Sequence, residues 1–136
     1  MMAIISAILL ALCFPKFNLY YLAWIALVPL FVEINRKETA KLAALSGFIF
    51  GIIFFGINLF WLNTLNKFAP GFAAIAFGLL VIYESLFTAG FAFLIKKYST
   101  STVFISFLWV FFEWLRTLGM LGSSAGDIGY SQALNL

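Results

Sequence analysis

Apolar and polar positions alternate along this chain in long blocks, with apolar runs broken by short polar segments. The first run covers 1–14 and the second 19–34, with "PKFN" between them. The loop "NRKETAK" leads into a third run over 42–62, and "NTLNKFAPG" leads into a fourth over 72–95. After "KKYSTS" a fifth run fills 102–118. A helix needs about 20 apolar residues to cross a bilayer core. The pattern therefore predicts an all-α integral membrane protein, a bundle of about five transmembrane helices with short loops over 1–118. A Gly/Ser-rich exit segment, 119–136, follows it. The first run is short for a span, so 1–34 reads either as two passes or as one broken pass.

Composition strengthens the membrane assignment. Of 136 residues 65% are hydrophobic and 10% charged, and 18 are Phe. A water-soluble domain of this size has more outside than inside and needs far more polar surface. The net charge of +3 lies in loops and not along a basic face, so nucleic acid is not an expected partner. There is one cysteine, Cys13, and no histidine. That excludes internal disulfides, zinc clusters and histidine triads, and neither a metal nor a cofactor is expected.

Charge placement sets the orientation instead. Arg36, Lys37, Lys41, Lys96 and Lys97 fall on one side of the alternating loops, against Lys16 and Lys67 on the other. Lys and Arg are retained on the cytoplasmic side, which places loops 35–41 and 96–101 inside and the C-terminal segment outside. Tyr20, Tyr21, Trp24 and Trp61 near run ends fit interfacial belts. Gly47 and Gly51 continue a small-residue stripe from Ala43, and Gly78 pairs with Ala74. Both stripes are expected to pack helices closely.

Two acids sit deep in apolar runs. Glu84 is deep in the fourth, and Glu113 lies in "WVFFEWLR" of the fifth, three residues before Arg116. Counted from the cytoplasmic ends both lie about 16–18 Å in. An ionised group at that depth must be paired or face water. The i,i+3 spacing puts Glu113 and Arg116 on one helix face, and Glu84 can join them from the neighbouring helix. Such a cluster serves either as a clamp between helices or as an anchor for a lipid headgroup, with Tyr130 and Gln132 as further headgroup contacts. A second class of function follows from Glu84 alone, a small transporter with a protonatable site. A third is a purely structural membrane subunit.

The stretch "GSSAG", 122–126, matches G-x-S-x-G and raises Ser124 as a nucleophile. That motif needs a base, and the chain holds no histidine. Lys96 and Lys97 are on the opposite side of the membrane, and Lys67 sits in a separate loop. The segment reads as a flexible exit from the bundle.

The surrounding motifs carry a different signal. "FEWLR", six residues to a glycine, and then "GYSQ" resemble the apolipoprotein N-acyltransferases, bacterial enzymes that add the third acyl chain to lipoproteins. "CFPKFNLYYLAWIALVPLF" is similar to that family's first helix pair around an F-P-x-F turn. "GFIFGIIFFGINLFWL" is similar to its third helix. The chain departs from the family where G-F-P-W is usual, having Gly122, Ser123, Ser124 and Ala125. The resemblance implies about eight transmembrane helices and a nitrilase-like domain with a Glu–Lys–Cys triad. In that family the cysteine carries an acyl group from a phospholipid to a lipidated N-terminal cysteine. No residue here matches the triad, and Cys13 lies in the first apolar run. The expectation is thus a fragment or truncated product: a membrane anchor and lipid-access scaffold in the bacterial inner membrane, with no catalytic residue. Its partners would be membrane lipids, including the phospholipid donor, and the apolipoprotein only with the missing domain.

Overall fold

The computed structural model describes residues 1–14, 17–98, 101–118 and 122–132. Pro15 and Lys16 of the expected turn, and the two ends of the exit segment, lie outside the described residues. Every regular element is helical, with no strand among the described residues. The helices are α1 (Met2–Leu12), α2 (Ala23–Ala26), α3 (Val28–Arg36), α4 (Ala40–Asn58), α5 (Phe72–Tyr98) and α6 (Thr102–Arg116).

By length and composition two described helices, α4 and α5, suffice to cross a membrane. The other three expected spans are shorter than drawn. Helix α1 rises only about 16 Å. The run 19–34 is not one helix but a 3₁₀ turn (Tyr20–Leu22), α2 and α3. Pro29 is the cause: it has no N–H to continue a helix from α2, yet it suits the first turn of a new one, where it sits in α3. The third run also ends early. Helix α4 stops at Asn58, and Phe60–Lys67 is a 3₁₀ segment.

Helix α1 and the α2–α3 pair run antiparallel, as a hairpin. Asn18 takes φ of +56°, a conformation that asparagine tolerates, and the Leu19 amide donates to the Leu12 carbonyl at 3.0 Å. Ser6 of α1 donates to the Ala26 carbonyl, at the break between α2 and α3. The hairpin packs on α4 through Leu10, Phe14, Leu30 and Phe54.

The most extensive contact joins α4 to α5, and small residues make it possible. A Cβ on Gly47 would meet the Thr88 carbonyl oxygen and stand 2.7 Å from the Ala92 Cβ. One on Gly51 would stand 2.7 Å from the Ser85 Cα. The close approach lets Thr88 Oγ1 donate to the Gly47 carbonyl at 2.9 Å. At Gly78 an added Cβ meets nothing within 4 Å, so the second small-residue stripe faces no described neighbour. Helix α6 leans on α5 through Phe91, whose ring centroid is 5.0 Å from that of Trp109.

Candidate functional site

The charged residues of the fourth and fifth apolar runs come together at the end of the bundle where α6 finishes. Arg116 is buried there, and its Nη1 lies 3.1 Å from Glu84 Oε2. Its Nη2 pairs with Asp127 of the exit segment. The guanidinium also stacks over Phe55 of α4, 4.8 Å from the ring centroid. Planar, with donors on two edges, Arg116 can hold two carboxylates while its face covers a ring. One residue thereby ties α4, α5, α6 and the segment beyond.

Glu113 does not pair with Arg116 as the spacing suggested. Its Oε1 accepts the Ile128 backbone N–H at 2.8 Å. Arg116 turns instead to Glu84 and Asp127. With both edges engaged, it has no exposed edge for the headgroup contact expected of it. Of the other two headgroup candidates, Tyr130 is exposed, with its hydroxyl 3.3 Å from Ser124 Oγ. Gln132 Nε2 donates to the Tyr20 carbonyl at 3.0 Å, linking the exit segment to the first hairpin.

The described part of the exit segment, 122–132, is therefore held rather than loose. The Ser123 amide donates to the Arg116 carbonyl at 3.0 Å. Gly126 adopts φ of +91°, where a Cβ is strained, and lies flat on Phe54 and Phe55, 3.1–3.2 Å from where a Cβ would be. Burial raises the Asp127 carboxyl from its ordinary value, against the pull of the Arg116 guanidinium. The sequence pattern does not single out Asp127, because an acid in a short polar segment looks like any solvated loop residue. An unmatched Arg116 at a helix end was the signal.

A second polar knot was also missed. Glu33, in the second apolar run, accepts from the Ala3 amide at 2.7 Å and from Ser46 Oγ at 3.0 Å. Lys37 Nζ lies 3.4 Å from it, one helical turn on. The signal here was the i,i+4 spacing of Glu33 and Lys37.

Two cavities adjoin the Arg116 cluster. One, of about 20 Å³, lies beside Glu113 and Arg116 among Phe87, Phe91 and Phe112. It has room for about one water molecule. The other is an open groove of about 770 Å³ under the exit segment, walled by Phe14, Ile57, Asn58, Trp61, Ser124 and Tyr130. Ser124 faces no described base, and no group of three or more metal-ligating side chains forms among the described residues.

Glu113 gives a discriminating prediction. Glu113→Gln keeps an oxygen for the Ile128 N–H and should leave stability within about 1 kcal/mol, whereas Glu113→Leu strands that donor and should cost about 1–3 kcal/mol. Denaturation of both variants in detergent, followed by tryptophan fluorescence, measures the difference.

Residues 6–136 match the model of a family described as the apolipoprotein N-acyltransferase N-terminal domain. An apolipoprotein N-acyltransferase of Geobacter metallireducens is 33% identical over 97% of this chain and 27% of its own length. Apolipoprotein N-acyltransferase 1 of Treponema denticola is 33% identical over 97% of this chain and 24% of its own. A Nitrosomonas europaea relative of the same name is 33% identical over 88% and 26%. The chain spans about a quarter of the length of these curated relatives. No solved structure matches.

Proposed function

The chain belongs to the apolipoprotein N-acyltransferase family, as its N-terminal domain, and from that premise we propose that it is the membrane-embedded anchor and lipid-access scaffold of such an enzyme. On this reading the bundle passes the bacterial inner membrane five times within 1–118, with residues 35–41 and 96–101 in the cytoplasm. Residues 119–136 emerge on the opposite face, where the acyl-transfer domain of the whole enzyme would stand. The substrates of that enzyme would be a phospholipid acyl donor and a lipoprotein. No residue of this chain matches the Glu–Lys–Cys triad that the resemblance implies, so acyl transfer by it alone is not expected.

One observation carries the proposal. Phe72, Ile75, Leu79, Ile82 and Leu86 form an exposed stripe along α5, and Phe107, Val110 and Trp114 expose one along α6, while Glu84 and Arg116 point inward. An apolar exterior around a charged interior is stable in lipid and unstable in water. The groove under the exit segment, with apolar walls and the Tyr130 and Ser124 hydroxyls at its rim, is where a lipid tail could pass beneath the domain above.

The test is cysteine labelling in spheroplasts, on a Cys13→Ala background and with a membrane-impermeant maleimide. Thr64→Cys and Ser124→Cys should react from outside, and Glu38→Cys only after permeabilisation. The reverse pattern would overturn the orientation, and release of the chain by alkaline carbonate would overturn membrane insertion.

A further inference from the structure

At the opposite end from Arg116, α3 and α6 diverge and leave a cleft of about 460 Å³. Leu27, Phe31 and Asn35, spaced by four, form one wall. The other is Thr102, Ile105, Ser106, Trp109 and Val110, the i, i+3, i+4, i+7, i+8 stripe of α6. Both helices lean on Phe91 of α5, whose ring lies 6.3 Å from Phe31 and 5.0 Å from Trp109, so one aromatic side chain braces both walls.

Polarity is graded along it. The deep end, at Phe31, Trp109 and Val110, is largely apolar. The outer end carries Asn35, Thr102 and Ser106. There Lys96 Nζ donates to the Asn35 carbonyl at 3.0 Å, which fixes an ammonium at the mouth. Arg36 and Lys37 follow Asn35 directly, and Lys97 follows Lys96. From Thr102 to Val110 the wall runs about 12 Å along α6. That is close to one leaflet's share of a hydrocarbon core about 30 Å thick.

We propose that this cleft is a binding site for an anionic phospholipid of the cytoplasmic leaflet, with one acyl chain along Phe31, Ile105 and Trp109 and its phosphate beside Lys96. The proposal rests on the membrane orientation given above, and concerns a resident lipid at the face opposite the exit segment. Depth selects a lipid of one leaflet over a spanning helix. The cationic mouth selects an anionic headgroup over a zwitterionic one.

Trp109 reports on the site. In a chain retaining Trp109 alone (Trp24, Trp61 and Trp114 each changed to Phe), reconstituted in phosphatidylcholine vesicles, a few mole per cent of chain-brominated phosphatidylglycerol should quench its fluorescence saturably. The same fraction of brominated phosphatidylcholine should quench several-fold less. Lys96→Gln should abolish that preference while leaving the bulk quenching, and Ser106→Phe, which fills the cleft, should reduce both. Equal quenching by the two lipids, or a preference unchanged in Lys96→Gln, would overturn the site. A companion chain retaining Trp114 alone separates the two readings. If Trp114 is quenched in bulk proportion and Trp109 shows no preference, the cleft proposal fails and insertion stands. If neither is quenched by either lipid, insertion itself fails.

Discussion

Arg116→Leu should lower the stability of the folded chain by about 3–5 kcal/mol, the usual cost of stranding a buried partner charge. Two carboxylates lose their counter-charge together. Glu84 is fully buried, and its second oxygen, Oε1, already has no hydrogen-bond partner among the described residues. Asp127 would be freed, and with it the segment that it holds. The expected signature is double: a lower denaturant midpoint in detergent, and new protease cleavage within 122–132 under conditions where the parent chain is uncut. Arg116→Lys preserves the charge but reaches one carboxylate at a time, so it should fall between the two. Arg116→Leu with unchanged midpoint and cleavage would show that the cluster holds nothing.

The second large effect is expected at the α4–α5 crossing. Gly47→Leu places a side chain where the Thr88 carbonyl and Ala92 already stand. Neither is a flexible side-chain end, so the helices must separate. The Thr88 hydrogen bond to the Gly47 carbonyl would then be lost with the packing. A cost of about 3 kcal/mol or more is expected, at the upper end for overpacking. Gly56→Ala and Gly78→Ala are the controls: an added Cβ at either meets nothing within 4 Å. Helix propensity should leave both unchanged or more stable, by up to about 1 kcal/mol. Thermal unfolding in one detergent compares all three, and equal losses would exclude the close approach as the cause.

What could be read from the residues depended on how local the determining physics was. The run over 72–95 became α5, and the run over 102–118 became α6, because long apolar blocks between polar breaks specify helices by themselves. The run over 19–34 misled, since its apolar count is uniform while one backbone N–H is missing at Pro29. The depth of Glu84 and of Glu113 was legible, but their partners were not. Side chains at i and i+3 share a face, yet Arg116 is long enough to reach across to α5 and onward to Asp127. Asp127 and Glu33 went unnoticed because their roles come from contacts 11 and 30 residues away in sequence. The exit segment looked loose because glycine and serine promise freedom, whereas Gly126 uses that freedom to lie flat on two phenylalanines.

The knot at Glu33 has a consequence for the lipid around it. Ser46 stands six residues into α4, about 9 Å along its axis, and Glu33, the Ala3 amide and Lys37 gather at that level. Ionic groups draw water and headgroups down to meet them, so in the proposed membrane setting the leaflet would dip toward the bundle on the flank of α1 and α3. In that setting the chain would carry its own asymmetric annulus, thin beside the opening hairpin and of full depth along α5.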